Sequence, residues 1–205
     1  MIELFISAFV TFFVVIDPPG CAPIFASLTN GTPAAHRRAM ALRSTLVASS
    51  ILFAFALGGK AFLGALHVSL DAFRIAGGIM LFLIALDMVF EKRTERRENR
   101  AQEVMAGEHD DISIFPMGIP MIAGPGSIAS AMLLTSRADG WTERGVVLGA
   151  LAAILLLTMV SLLLAGPLMK LLGNRLEAMI TRVLGVILAA LAAQFVIDGV
   201  KASFL

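Results

Sequence analysis

The residue most suited to chemistry is an aspartate inside an apolar run. Asp17 lies in the stretch Ile2–Asn30 and is followed at once by Pro18, Pro19, Gly20 and Cys21. A carboxylate this deep in an apolar span is costly, and it suits a substrate ammonium group, a coupling Na⁺ or a transported proton. The same Asp-Pro order also reads as a helix N-cap with proline at the first helical position. The two roles are compatible and carry equal weight. A second stretch, Ala123, Gly124, Pro125, Gly126 and Ser127, repeats the pattern in the other half of the chain. Proline removes a backbone donor and clashes with the preceding turn, and glycine relaxes the helix further. Each break therefore frees carbonyls before it and N–H groups after it. In lipid such groups must be buried in protein or face a watery cavity. The half-helix that restarts at Gly20-Cys21 or at Gly126-Ser127 carries partial positive charge at its N-terminus, which suits an anionic group such as a carboxylate. One break of this kind is as well explained by a simple proline kink; two at matching places favour a site.

The other polar residues carry weaker signals. Ser127 and Ser130 follow the second break and either line a cavity or bond back to their own helix. Ser7 and Thr11 read as interhelical packing, and Gln194 as glue between helices. Asp87 and Asp198 fall near span ends, where interfacial solvation is expected. The lone Cys21 excludes an intramolecular disulfide or a redox pair and reads as a small packing residue. His36, His67 and His109 show no ligand spacing, so no metal site is expected. The Gly-Pro-Gly-Ser stretch is not a nucleophile elbow and no histidine is placed to serve Ser127. No catalytic residue is expected, and the chain does not read as an enzyme.

These residues need helices to hold them. The chain has 205 residues, of which 58% are hydrophobic, and a mean hydropathy of +0.89. Soluble domains are roughly 45–50% apolar, so an integral membrane protein of one compact domain is the reading. A net charge of +1 gives no bias towards nucleic acid. The start, Met-Ile-Glu-Leu-Phe, lacks the basic region of a signal peptide. Six spans are expected: Ile2–Asn30, about Ser44–Leu66, Asp71–Phe90, Ile112–Ser136, Gly145–Met169 and Thr181–Val200. Fully helical, the first would be about 43 Å long, which leaves room for two half-helices across a hydrocarbon core of roughly 30 Å. Thr29–Arg43 reads as a basic loop that can continue as helix. Glu91–Asp111, with five Lys or Arg and seven Asp or Glu, reads as a solvated, partly helical linker. Lys60 reads as snorkelling to the interface.

The two halves resemble each other. Pro19-Gly20 and Pro125-Gly126 are 106 residues apart, as are Thr29 and Thr135; Arg74 to Gly77 is similar to Arg182 to Gly185, 108 residues on. Three spans per unit is an odd number, so the second unit is inverted relative to the first. The loops after spans one, three and five hold eleven Lys or Arg against five on the opposite side. This predicts those loops in the cytoplasm and both termini in the periplasm.

At the two breaks the chain resembles the MarC family of six-span bacterial inner-membrane proteins, also called the small neutral amino acid transporter family. The likeness rests on the stretch Phe12–Phe25 and on Phe115–Ser130. It extends to Phe73–Met88 and to Thr181–Gly199, nearly the whole chain. It implies a three-plus-three inverted fold with discontinuous helices one and four. It also implies transport of glycine, alanine or similar amino acids, as in characterised members, with coupling to a cation gradient left open. Carried over by position, Asp17–Gly20 and Ala123–Ser127 are the expected binding region.

Together these readings predict an all-α integral membrane fold of six helices arranged as a three-plus-three inverted repeat, with repeat one over about 1–90, a charged cytoplasmic loop over 91–111 and repeat two over about 112–205. The expected function is secondary transport of a small neutral solute by alternating access, with Na⁺ or H⁺ as coupling ions and no resident cofactor. The alternative is an accessory or structural inner-membrane protein without transport. The expected substrate-binding residues are Asp17, Pro18, Pro19, Gly20, Cys21, Ala123, Gly124, Pro125, Gly126 and Ser127, with Asp17 also the coupling candidate. The expected partners are the solute and the lipid bilayer of a bacterial inner membrane, with a homo-oligomer open and nucleic acid excluded.

Overall fold

The computed structural model describes residues 1–106 and 111–204. His109 and the end of the charged linker fall outside the described residues. Regular structure among the described residues is helical throughout. In chain order it comprises α1 (Ile2–Ile16), α2 (Pro18–Leu28), α3 (Ala34–Ala65), α4 (Leu70–Val89), α5 (Lys92–Ala106), an irregular coil Ser113–Ile122, α6 (Pro125–Arg137), α7 (Gly140–Leu163) and α8 (Ala165–Phe204). Five stretches are long and apolar enough to cross a membrane: Ile2–Leu28, Ala34–Ala65, Leu70–Val89, Gly140–Leu163 and Ala178–Phe204. The coil and α6, bent by 53° at their junction, make a sixth if counted as one span. Large apolar side chains such as Ile79, Phe82, Leu83, Leu156, Val183 and Val186 point outward. Exposed apolar surface on this scale suits lipid, not water.

Several boundaries differ from the sequence reading. α3 starts at Ala34, so the basic stretch with Arg37, Arg38 and Arg43 is the helix's first turns and not a loop. At 32 residues this helix is about 48 Å long and overhangs a core of roughly 30 Å. The fifth span ends at Leu163 instead of Met169. The cause is Pro167, which has no N–H to offer the Leu163 carbonyl and clashes with it. The chain then restarts as α8, 40 residues long, and keeps its helix through the stretch expected to be a loop. Only its Ala178–Phe204 part is apolar enough to span. α5 turns the first part of the charged linker into a helix.

The packing follows one scheme. α1 and α2 lie against α7, while the coil and α6 lie against α3. α2 also reaches α8, and α6 reaches α4. The most extensive interface joins α4 to α8. It is built on small residues that let two backbones approach, as apolar membrane helices require. A Cβ on Gly78 would sit 2.9 Å from the Ala192 carbonyl oxygen and 2.7 Å from Val196. A Cβ on Gly185 would sit 2.9 Å from the Met88 Cβ and 3.1 Å from the Ala85 carbonyl oxygen. Polar residues in the spans mostly bond to their own helix: Thr11 Oγ1 donates to Ser7 O at 2.8 Å, and Ser44, Thr45 and Thr158 bond back four residues.

This interface makes a prediction of sign. Gly78→Ala is expected to destabilise by about 1–3 kcal/mol through overpacking. Gly58→Ala, in open space, is expected to be neutral or to stabilise by up to about 1 kcal/mol, because alanine is the better helix former. Thermal melting of the two purified variants checks this, and equal melting temperatures would contradict the interface.

Candidate functional site

The first break can be followed one carbonyl at a time. In an unbroken helix the N–H groups of residues 18, 19 and 20 would bond the carbonyls of Val14, Val15 and Ile16. Pro18 and Pro19 have no N–H, and Gly20 N–H turns instead to Asp17 Oδ1 at 3.1 Å. The Val15 carbonyl accepts from the Arg93 guanidinium at 2.7 Å. The Ile16 carbonyl accepts from Cys21 Sγ at 3.5 Å. Asp17 itself holds a left-handed conformation (φ 59°, ψ 65°) and caps α2. Its other oxygen, Oδ2, pairs with Arg97 Nη1 at 2.8 Å. The pair is buried, with Asp17 1% and Arg97 11% exposed at the side chain. A Cβ on Gly20 would lie 2.2 Å from Asp17 Oδ2 and 2.8 Å from Arg97 Nη1. Glycine at 20 is therefore what admits the ion pair.

The second break is built differently. Gly124 is the N-cap of α6 and offers no side chain, so the N-terminus has no side-chain cap. Ala123 N–H bonds back to Gly118 O at 3.0 Å, and the helix ladder resumes with Ile128 N–H to Gly124 O at 3.0 Å. Between them the N–H groups of Gly126 and Ser127 have no acceptor among the described residues. Before the break, Phe115 and Ile119 are extended, and the peptide bonds preceding Pro116 and Pro120 are cis.

A cavity of ≈ 220 Å³ opens at this N-terminus. Gly124, Pro125, Gly126 and Ser127 line it, with Pro120 and Met121 from the coil, Val15 from α1, and Ile84 and Asp87 from α4. α5 completes the lining with Arg93, Arg96 and Arg97. The space is smaller than the roughly 300–1,000 Å³ of clefts for drug-sized ligands. Ser127 is 97% buried and borders this space, and the fully buried hydroxyl of Ser130, one turn on, has no hydrogen-bond partner among the described residues. The N–H groups at this uncapped N-terminus suit an anionic group, while the guanidiniums beside them are already engaged, Arg93 by the Val15 carbonyl, Arg96 by Asp87 and Arg97 by Asp17. Burial and the neighbouring Arg97 pull Arg93 below its ordinary value, to about 10, so it stays charged at neutral pH.

The expected residues thus separate. Gly124, Pro125, Gly126 and Ser127 face the cavity; Ala123 is buried behind them. From the first break only Val15 reaches the lining. Asp17 to Cys21 stand behind Arg97, with Cys21 fully buried. The charged linker does not simply solvate: α5 turns Arg93 and Arg97 inward. Asp87 pairs with Arg96 and Asp198 with Arg137, so neither is left to water alone. Gln194 donates to Asp198 on its own helix at 2.6 Å instead of joining two helices. Sequence reasoning missed the three arginines. Their spacing of three and four residues, which sets them on one helix face, was the available signal.

Gly20→Ala is expected to cost about 3 kcal/mol, the scale for breaking a buried ion pair. A melting temperature equal to that of the parent would mean that Asp17 and Arg97 do not meet beside Gly20.

Relatives in sequence cover almost the whole chain. Residues 2–204 match the family model described as MarC family integral membrane protein. The chain is 36% identical to a UPF0056 membrane protein of Methanocaldococcus jannaschii, across 100% of this chain and 99% of the relative. It is 33% identical to UPF0056 membrane protein YvbG of Bacillus subtilis, across 100% and 97%, and 30% identical to YhcE of Escherichia coli, across 96% and 91%. No solved structure matches it. With its apolar helices and a family match along almost its full length, the chain belongs to the MarC (UPF0056) family of integral membrane proteins.

Proposed function

We propose that this multi-pass membrane protein is a secondary transporter of a small neutral solute, with glycine- or alanine-like amino acids as the substrate class. The observation that carries this reading is the uncapped N-terminus of α6, where Gly126, Ser127 and the arginines of α5 surround a small cavity. A solute carboxylate would accept from the Gly126 and Ser127 N–H groups and the Ser127 hydroxyl. The small volume favours solutes with little side chain. In this reading the chain is not an enzyme, and Na⁺ or H⁺ is cargo or coupling ion.

Alternating access needs two related halves, and the packing supports an inverted three-plus-three repeat. Under that symmetry span one against span five corresponds to span four against span two, and both contacts are present. Span three would meet span six about the axis, as α4 meets α8. The glycines are reciprocal: Gly78 faces Ala192 and Gly185 faces Ala85, and one shift of 107 residues carries Gly78 to Gly185 and Ala85 to Ala192. By the distribution of Lys and Arg the side bearing α5 is the cytoplasmic side of an inner membrane, with both termini in the periplasm.

One observation favours the accessory-protein reading: the charge of Asp17 is already met by Arg97 instead of being offered to a solute. Ligand-dependent stability separates the two. The melting temperature of the purified protein is measured with glycine, alanine and serine, with and without Na⁺, at two pH values. Transport predicts a rise, worth about 2.7 kcal/mol at a hundredfold excess over Kd, that Gly126→Leu abolishes. The Cβ at 126 would already lie 2.6 Å from Ile84 Cδ1. No rise with any amino acid would favour the accessory reading.

A further inference from the structure

We propose that α5 is a latch across the mouth of the cavity, and that the Arg97–Asp17 ion pair holds it shut. The inference rests on the preceding reading only in taking the cavity as the solute's site. α5 lies against α2, α4 and the coil, and it has little apolar surface with which to stay there. From Lys92 to Ala106 its only large apolar residues are Val104 and Met105, at the far end. Polar contacts must hold its first turns. Arg93 donates to the Val15 carbonyl of α1, Arg96 pairs with Asp87 of α4, and Arg97 pairs with Asp17 between α1 and α2. All three arginines also line the cavity. The helix that supplies this wall of the space is thus fastened, among the described residues, at three points on the first half of the chain.

The three fastenings are unequal. Arg96 is 69% exposed in its pair with Asp87, and exposed pairs contribute little. The Arg97–Asp17 pair is buried and is also hydrogen-bonded through the cap to Gly20. Buried charges separated from their partners are strongly penalised, so of the two ion pairs this one holds α5 the more firmly, beside the Arg93 bond to the Val15 carbonyl. Asp17 does not itself line the cavity. A change there alters access only through α5.

That separation sets the experiment. Ser127→Cys is introduced with Cys21→Ser, so that the only thiol faces the cavity. The purified full-length protein in detergent is labelled with the anionic reagent sulfonatoethyl methanethiosulfonate, with no solute present. Adding Asp17→Asn, which keeps an N-cap residue, is expected to raise the labelling rate about tenfold, because access follows the population of the opened state. Arg97→Gln should do the same. If either single variant melts below the working temperature, Asp17→Asn with Arg97→Gln removes both charges together and gives the same reading. Rates unchanged within about twofold in folded variants overturn the latch. Solute binding is read separately by melting temperature. Faster labelling without solute binding sinks the transport reading alone, and solute binding with unchanged labelling sinks the latch alone.

Discussion

Everything at the centre of this protein depends on where three backbone carbonyls find donors. Two adjacent prolines and a diverted glycine N–H leave Val14, Val15 and Ile16 without their helical partners. Water is scarce at that depth, and a carbonyl without a donor is expensive. The chain answers with a guanidinium for Val15 and a thiol for Ile16. The guanidinium arrives from a helix 78 residues further along. The charged linker is therefore part of the first span's hydrogen bonding, and its position follows from a debt incurred at Pro18 and Pro19.

The same sequence device is put to two uses. At the first break Asp17 caps α2 with its own carboxylate, and Arg97 neutralises that carboxylate, so the interruption is internally satisfied. At the second break Gly124 supplies no cap and the restarting helix points at open space. A motif that looks duplicated is thus built in two ways: one copy carries its own side-chain cap and the other does not. The difference lies at the N-cap, which is an aspartate in α2 and a glycine in α6.

Much of the architecture is legible in the sequence because the bilayer allows few alternatives. Long apolar stretches must be helices, and Pro-Gly pairs inside them must be interruptions; both expectations hold at Ile2–Leu28 and at Ser113–Arg137. Gly126 and Ser127 were legible as residues at the second break for the same reason, and they border the cavity there. The ends of helices were less legible. Within Gly145–Met169 the stop was marked by Pro167, which ends the helix at Leu163, but an uncharged apolar run of spanning length hid it. The roles of Arg93 and Arg97 were hidden by distance. A run of mixed charge looks the same whether it meets solvent or a carbonyl, and the partner here lies some eighty positions away. Asp17 was recognised as costly, but local sequence does not reveal which cation meets that cost.

The placement of α5 directly after α4 bears on how the protein is made. The ribosome completes Asp17, Val15 and the proline pair first, and the arginines that satisfy them emerge before any of the coil, α6, α7 or α8. The buried charge of Asp17 and the freed carbonyl of Val15 are met by the next segment of the same half. By contrast α4 finds its main apolar partner, α8, only when the last residues are synthesised. The order of synthesis therefore supplies the partners of the first break early, and the close glycine-lined fit of helix on helix waits for the end of the chain.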